Sequence, residues 1–498
     1  MKKIIITFFA ILTTFAQSAF AGVDKGINVR EVQTLLAELC YDPGPIDGLW
    51  GKKTETAVKD LYGSVKGSYD GQFDLVDLGF LREYPIWYGG NNCSIKATNS
   101  KINKASELTK SPKVIDYGHA IPERPGKKPN YETLAYYLQK DINEGYGWLG
   151  DIRDLPQVKI SGATDYFKFK SDLQINQTIK KQLNTTALIS YLYYEDGKIK
   201  IDEKSPPDRF GKLFDDETRL IANSISKSVV SYLVGHAICD GYIPSLQHKM
   251  DDWDVLTNTL YSEQQVSDVL HMRTGDQKHV GIWDGVKAAS GYGKNPHDRS
   301  IKSIMTNELK GSRSGSKIFN YNNLNLNIAF NYLIFKTGKD FNKFLAKVFQ
   351  KHIKTQHMVV FNGKHRDQFT KQSMQVSDGR ENGHFFATRY DYLRLAVAML
   401  NDWQSDNCVG KYLKQLMSDS KSKGLGPGSG PFQNFKGYSG FFHTEYTGMS
   451  RRNIFGMDGY GGQMIWIDFD NGRIVSTNAI HNNFDWKRIV YRVIREGI

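Results

Sequence analysis

Cysteine is scarce in this sequence, which has four cysteines in 498 residues. No spacing of cysteine with histidine is typical of a metal site, so we predict no metal, and no motif indicates a cofactor. An even number of cysteines in an exported protein favours disulfides, and four cysteines allow three pairings. We expect Cys40–Cys93 and Cys239–Cys408, because each pair falls within one predicted domain. Four buried free thiols are the alternative.

Long apolar segments are few. The apolar stretch from Ile4 to Ala16 is shorter than the ~20 residues of a transmembrane helix, and no later segment is long enough. Two lysines precede this stretch, and Ala19-Phe20-Ala21 places small residues where a signal peptidase cleaves. We therefore predict that residues 1–21 are a signal peptide and that the protein is exported, to the periplasm or beyond. A membrane anchor is the alternative.

Nucleic-acid-binding motifs, internal repeats and low-complexity segments are absent. The net charge is +12, which favours contact with anionic surfaces such as cell wall, although a solvated basic surface explains it equally simply. The apolar content of 40% is enough for a sizeable core, and 498 residues exceed one ordinary domain.

Residues 28–62 have the pattern of two short helices around a turn rich in glycine and proline. The matching text is Val32-Gln33-x-Leu35-Leu36, Asp42-Pro43-Gly44-Pro45-Ile46-Asp47-Gly48-Leu49-Trp50-Gly51 and Lys53-Thr54-Glu55-x-Ala57-Val58. This text resembles the peptidoglycan-binding repeat, except that Cys40 stands where glycine is common. The resemblance implies a small all-α module over residues 22–93 with peptidoglycan as its partner, or a helical module that no longer binds wall. Residues 94–150 are interpreted as a linker and N-terminal extension.

The most informative motif is Ser224-Ile225-Ser226-Lys227, which opens a long apolar run. A serine and a lysine three residues apart share one face of a helix. Burial among apolar groups lowers the pKa of a lysine, and such an amine can take the proton of the serine hydroxyl. A helix-capping serine beside a surface lysine is the alternative. Three further Ser-x-x-Lys matches have no apolar helix behind them: Ser314–Lys317, Ser418–Lys421 and Ser420–Lys423.

Two later segments supply further polar groups. Tyr321 and Asn323 stand two residues apart before a helical pattern, so both can face one cleft, where a phenol can transfer protons. Gly459-Tyr460-Gly461-Gly462-Gln463 begins a strand-like run, in which glycines let the backbone approach a ligand. Strand-like runs flank the turns Asp196-Gly197 and Asn471-Gly472, which predicts two hairpins. Strands from both ends of residues 151–498 should therefore lie in one sheet, with helices between them in the sequence.

From about residue 185 to the end, the chain resembles the serine β-lactamase and penicillin-binding-protein superfamily. It is most similar to the class C, esterase and 6-aminohexanoate-dimer-hydrolase branch, on the Ser224 helix, the Tyr321-Asn322-Asn323 box and the Gly-Tyr-Gly-Gly-Gln strand. The resemblance implies an α+β fold for residues 151–498. In this fold an antiparallel sheet is flanked by helices and joined to an all-helical subdomain.

The resemblance also implies a role for each matching residue. Ser224 would be the acylated nucleophile, Lys227 its base and Tyr321 the proton relay to the leaving group. Asn323 would order Lys227 and the substrate amide. The backbone N–H groups of Ser224 and Gln463 would form the oxyanion hole, with Tyr460, Gly461 and Gly462 lining the substrate site.

The Gly-Tyr-Gly-Gly-Gln strand, the third of these motifs along the chain and called the third box below, departs from the family pattern. Penicillin-recognising members have Lys-Thr-Gly there, whereas this chain has Tyr460-Gly461-Gly462, and a tyrosine carries no charge at neutral pH. Unless Arg451, Arg452 or another cation takes this role, neither strong β-lactam hydrolysis nor D-Ala carboxypeptidase action is expected.

The sequence therefore predicts an exported, wall-associated serine hydrolase. It would cleave an amide or ester in peptidoglycan or a wall-associated substrate through an acyl-Ser224 intermediate. One alternative is an esterase or amide hydrolase of small molecules that is tethered to the wall. Another is a catalytically inactive wall-binding protein.

Overall fold

A computed structural model describes residues 22–24, 27–64, 69, 71–74, 77–78, 81–82, 114–115, 121, 129–144, 157–279, 300–362, 383–423 and 435–498. The predicted signal peptide, residues 1–21, lies outside the described residues. The α-helices are α1 Val29–Glu38, α2 Lys52–Ser64, α3 Tyr131–Glu144, α4 Gln177–Thr185, α5 Ile225–Cys239, α6 Val266–Leu270, α7 Ile301–Asn307, α8 Asn323–Thr337, α9 Phe341–Ala346, α10 Arg389–Ser405, α11 Cys408–Lys423 and α12 Arg492–Glu496. Two π-helical segments, Lys347–Ile353 and Lys487–Tyr491, accompany them.

The strands form two larger sheets and one parallel pair. They are β1 Gly22–Val23, β2 Gln72–Phe73, β3 Gln157–Ile160, β4 Lys170–Ser171, β5 Leu188–Glu195, β6 Lys198–Lys204, β7 Leu220–Ile221, β8 Val359–Asn362, β9 His384–Ala387, β10 Phe435–Ser439, β11 Phe442–Tyr446, β12 Ile454–Gly459, β13 Gln463–Asp468 and β14 Arg473–Ala479. The eight-stranded sheet has the order β10-β11-β12-β13-β14-β5-β6-β4. The four-stranded sheet has the order β3-β8-β9-β7, and β1 pairs with β2.

The described part of residues 151–498 is called the hydrolase-like unit below. The large sheet joins strands from its two ends. β14 pairs antiparallel with β5, so the last strand of the chain lies beside the first long one. Seven of the eight residues of β5 are buried, because helices cover both faces of the sheet at its centre. Asp196 and Gly197 both have positive φ, which suits the tight turn of the predicted β5–β6 hairpin. The α+β prediction is therefore confirmed.

The hydrophobic α5 lies at the centre of the hydrolase-like unit. It packs on strands β12 and β13 of the large sheet, on β9 of the smaller sheet and on helices α8 and α11. Thirteen of its residues are buried, which explains why its sequence is apolar all round rather than along one stripe. This packing fixes the position of the residue at its N-terminal end.

The N-terminal unit contains the two predicted helices, α1 and α2, around a small apolar core. The buried Gln33 holds the intervening turn, since its amide donates to the Asp47 carboxylate and accepts from the Gly48 N–H. Gly48 has a φ of +80°, a conformation that a residue with a Cβ rarely adopts. The turn leaves Ile46 and Leu49 exposed.

Helix α3, from the segment predicted to be linker and extension, packs on the hydrolase-like unit. Its Tyr131 stacks on Phe210 and donates a hydrogen bond to the Arg209 carbonyl oxygen. Leu134 and Leu138 are buried in the same core as the large sheet. The extension thus contributes apolar surface to the unit that follows it.

One predicted disulfide is present: Cys239 at the end of α5 is bonded to Cys408 at the start of α11. Cys40 is also disulfide-bonded, and Cys93, its predicted partner, lies outside the described residues. Within the described ranges, no helix is both long enough and apolar enough to cross a bilayer.

Candidate active site

Ser224 occupies the N-terminal end of α5 and makes no capping hydrogen bond, so the capping interpretation is wrong. Its Oγ instead lies 3.1 Å from Nζ of Lys227, which donates to it. Two other serines of α5 form hydrogen bonds with the backbone of neighbouring segments. Ser226 accepts from the backbone N–H of Phe385, and Ser228 donates to the carbonyl oxygen of Phe441. Of these three hydroxyls, the one at Ser224 contacts a lysine amine.

Lys227 is almost completely buried, with 2% of its surface exposed. Its Nζ lies 4.7 Å from the centroid of the Tyr321 ring. The aromatic face attracts the ammonium form, whereas burial among apolar groups penalises it. The predicted serine, lysine and tyrosine are therefore in one cluster, although Tyr321 is about a hundred residues away in sequence.

The Tyr321 segment is held by the loop that follows α6. The backbone N–H of Asn320 donates to the Met272 carbonyl oxygen at 2.7 Å. Its side-chain amide donates to the carbonyl oxygens of Asp276 and His279. Asn322 then caps α8 by accepting from the Asn325 N–H. The buried Asn320 is thus a positioning residue that the sequence analysis missed, and its place beside Tyr321 was the available signal.

Two further aromatic rings pack against the ring of Tyr321. Tyr438 of β10 meets it edge-on with ring centroids 5.8 Å apart, and Phe319 packs against both rings. Burial raises the pKa of Tyr438 far above its ordinary range, so this phenol stays protonated. Tyr438 therefore serves to orient the ring of Tyr321.

A buried ion pair stabilises the loop that anchors Asn320. His279 Nδ1 lies 3.0 Å from the Asp276 carboxylate, and its Nε2 lies 3.4 Å from Glu308. Burial alone would lower the pKa of His279, but Asp276 and then Glu308 outweigh it and raise that pKa above its ordinary value. Tyr261 completes the network by donating to Asp276 at 2.8 Å.

The raised pKa of His279 predicts a pH-dependent contribution to stability. The contribution should be complete below pH ~6.5, the unfolded value, and should decline as pH rises through the higher folded value. We expect the free energy of unfolding lost in His279→Gln to be larger at pH 6 than at pH 9. Urea unfolding of both proteins at the two pH values measures this difference, and an equal loss at both would contradict it.

The predicted third box forms the turn between β12 and β13, which lies against the start of α5. A Cβ on Gly459 would lie 2.5 Å from the Ala222 carbonyl oxygen, so only glycine allows this approach. Asn223 reinforces it by donating from Nδ2 to the Tyr460 carbonyl oxygen at 2.7 Å. Gly461 and Gly462 have φ values of +84° and +90°, which complete the turn. The structure thus places this box beside Ser224.

Asn223 is a second residue that the sequence analysis missed. Its φ is +49°, in the left-handed region that asparagine tolerates better than most residues. This conformation directs the chain into α5 and leaves the side chain bonded to the neighbouring turn. An asparagine directly before the serine was the available signal.

The Tyr460 side chain bonds to the N-terminal extension. Its hydroxyl donates to the carbonyl oxygen of Ile121 at 2.6 Å, and Ile121 is buried in the main core. The Gln463 side chain donates to the Ala479 carbonyl oxygen and accepts from Asn478, so it is part of the sheet. The part of the Gln463 backbone N–H in the oxyanion hole stays a prediction.

Neither arginine considered for the cation role lies near Tyr460. Arg452 pairs with Asp468, where β12 begins and β13 ends. Tyr460 follows the opposite end of this hairpin. The two ends are separated by five residue steps of antiparallel strand, which span roughly 17 Å. The role proposed for Arg451 or Arg452 is therefore wrong. Asn323 is buried at the first residue of α8, and its role remains a prediction.

Comparisons with known proteins agree with the two-part organisation. Residues 25–74 match the sequence family described as "Putative peptidoglycan binding domain". No curated protein matches the chain. A solved structure described as "Putative 6-aminohexanoate-dimer hydrolase" from Bacillus anthracis is similar, with a TM-score of 0.54 and 15% identity over 72% of this chain and 92% of that one. FmtA from Staphylococcus aureus matches with a TM-score of 0.40 and 15% identity, over 67% and 93% of the two chains.

The family match and the likeness to the Bacillus anthracis structure define the fold. The hydrolase-like unit has the β-lactamase/transpeptidase-like fold, and a peptidoglycan-binding domain precedes it. At 15% identity the chemistry has to be argued from this chain's own residues.

Proposed function

We propose that this protein is an exported serine hydrolase that cleaves an amide or ester in peptidoglycan or in a wall-associated substrate. The observation that carries the proposal is the contact between Ser224 Oγ and Lys227 Nζ at 3.1 Å, at the half-buried end of a buried helix. The Tyr321 ring at 4.7 Å from the same amine adds a second proton carrier.

In the acylation step, Ser224 Oγ attacks the carbonyl carbon while unprotonated Lys227 takes the hydroxyl proton. The hydrogen bond between these atoms then runs from Oγ to Nζ, the reverse of the resting direction. The tetrahedral oxyanion would be stabilised by the backbone N–H groups of Ser224 and Gln463. Tyr321 would pass a proton to the departing amine or alcohol as its bond to the carbonyl carbon breaks. It would later take one from the water that releases the acyl group, while Lys227 returns its proton to Ser224 Oγ.

The third box supports a substrate without a carboxylate at this position. The lysine of penicillin-recognising relatives is replaced by Tyr460, whose hydroxyl already donates to the Ile121 carbonyl oxygen. With no cation from Arg451 or Arg452, an anionic substrate group would gain no charge partner from these residues. Neutral amides and esters are therefore favoured over β-lactams.

The wall module supports substrates that are fixed in the wall. Tethering an enzyme beside its substrate raises the effective concentration of that substrate without any new contact at the active site. The match over residues 25–74 and the exposed Ile46 and Leu49 support binding by this module.

The proposal is tested with the full chain and a fluorescent alkyl phosphonate that modifies active-site serines. We expect one adduct, located on Ser224 by mass spectrometry, and new fragments when purified peptidoglycan is digested. A short-chain p-nitrophenyl ester should be turned over faster than a chromogenic cephalosporin. An unlabelled protein would contradict the proposal. Labelling without new wall fragments would contradict the wall substrate and favour the tethered small-molecule hydrolase.

Replacing Tyr321 with phenylalanine should lower kcat by roughly 100-fold or more with little change in KM, because the ring stays but the proton carrier is lost. The matched control is Tyr438→Phe, which removes a phenol packed against the same ring and should retain most of the activity. Steady-state kinetics with the ester measures both variants. Equal losses in the two would indicate that the rings act through packing alone.

A further inference from the structure

A cluster of metal-ligating side chains lies in the same unit, away from the candidate active site. It consists of His236 on α5, His352 in the π-helical segment Lys347–Ile353, and Asp402 on α10. One ligand atom from each residue lies within 4.8 Å of the others. The His352 Nε2 is 3.0 Å from the Asp402 carboxylate, and the two imidazole centroids are 4.6 Å apart.

His236 is the member whose environment requires an explanation. It is 6% exposed, and its Nε2 has no hydrogen-bond partner within the described part of the chain. Buried polar atoms are nearly always satisfied, so an unpaired imidazole nitrogen on a member of such a cluster indicates a missing ligand.

The neighbours of Asp402 resemble the outer shell of a metal site. The Tyr232 hydroxyl donates to one carboxylate oxygen, and the Asn407 amide donates to the other at 2.7 Å. Such donors fix the orientation of a metal-binding carboxylate. A simple His352–Asp402 hydrogen bond would satisfy those two residues but leave Nε2 of His236 unexplained.

The donor set selects the type of ion. Two imidazoles and one carboxylate suit zinc and related first-row transition metals, whereas magnesium and calcium prefer oxygen ligands. Ligand atoms on a tetrahedral zinc lie about 3.4 Å apart, so the cluster must contract slightly. The side chain of His352 is 34% exposed and can move inwards, and the same exposure admits the ion and a water as fourth ligand.

We propose that His236, His352 and Asp402 form a structural site for a divalent transition metal ion such as zinc. His236 lies about three helical turns beyond Ser224, roughly 18 Å along α5, so the ion would not take part in acylation. It would join α5, the π-helical segment and α10 near the Cys239–Cys408 disulfide.

The test uses the full chain without an oligohistidine tag, freed of metal with a chelator and then titrated with zinc chloride. We expect about one zinc per chain by elemental analysis after gel filtration, and a rise of several degrees in the thermal midpoint. Magnesium should produce neither effect. Cobalt(II) in place of zinc should give visible absorption bands of low-symmetry coordination. Failure of the wild-type protein to retain zinc or to give the cobalt bands would overturn the proposal.

Two variants test whether the ion binds at this cluster. His352→Gln should weaken zinc binding at least tenfold and abolish the thermal shift, and the half-exposed position should leave the fold intact. The matched control is His248→Gln, which alters another His–Asp pair, His248–Asp252, outside the cluster. Its zinc binding should equal that of wild type. Unchanged binding in His352→Gln, or an equal loss in both variants, would rule out the assignment.

Discussion

Replacing Ser224 with alanine should reduce turnover of the ester substrate by roughly 10⁴-fold or more, and should abolish the phosphonate adduct. The loss should be this large because no second hydroxyl is available to Lys227 on α5. Ser226 and Ser228 are buried and bonded to Phe385 and Phe441. In the proposed mechanism the nucleophile, its base and the oxyanion donors act as one unit, so the loss of the first should remove most of the benefit of the others.

Stability should change little in this variant. Ser224 makes no capping hydrogen bond, so its truncation removes no acceptor from the backbone N–H groups of the first turn of α5. Lys227 Nζ loses its bond to Ser224 Oγ, which is a single hydrogen bond at a half-buried position. The control is Ser418→Ala, which removes the exposed serine of another Ser-x-x-Lys match on α11. This control should retain full turnover and labelling. Residual turnover near the wild-type level in Ser224→Ala would exclude the acyl-enzyme mechanism.

Removing the Cys239–Cys408 disulfide by double substitution with alanine should lower the free energy of unfolding by about 5 kcal/mol. The size follows from the sequence separation of 169 between the two cysteines, because a longer loop restricts the unfolded chain more. The bond also ties the end of the nucleophile's helix α5 to the start of α11. Urea unfolding of wild type and variant under oxidising conditions measures the loss.

A reductant provides the control for this stability change. Wild-type protein treated with dithiothreitol should approach the stability of the double variant, whereas the variant should respond only through Cys40 and its partner. Ester turnover at low urea should be preserved in the variant, since the bond lies about four helical turns from Ser224. A loss below about 1 kcal/mol would show that packing alone fixes α5.

Local patterns made the candidate catalytic cluster partly predictable. The Ser224–Lys227 contact follows from helical spacing, and the Asp196-Gly197 turn follows from the conformations these residues tolerate. Tyr321 was predicted from its place two residues before Asn323 at the start of a helical pattern, and its box also resembles that of a known family. Contacts between distant segments could not be predicted in this way, because no local period records them.

The clearest example is the bond between Tyr460 and Ile121, which joins residues 339 positions apart. The sequence placed Tyr460 at the substrate site, and only the fold shows that its hydroxyl also holds the extension. The same reason hides the His236–His352–Asp402 cluster. Its members come from three elements, and their spacing matches no metal-binding motif.

The Tyr460–Ile121 bond means that the segment between the peptidoglycan-binding domain and the hydrolase-like unit does more than connect them. Ile121 lies on the path from one unit to the other, yet it bonds to the residue that replaces the family's cation. The predicted connecting segment and the predicted substrate site thus touch at this bond. We expect that grafting the hydrolase-like unit onto a different anchor, with a junction after residue 121 that removes the bond, would change which substrates it accepts as well as where it acts.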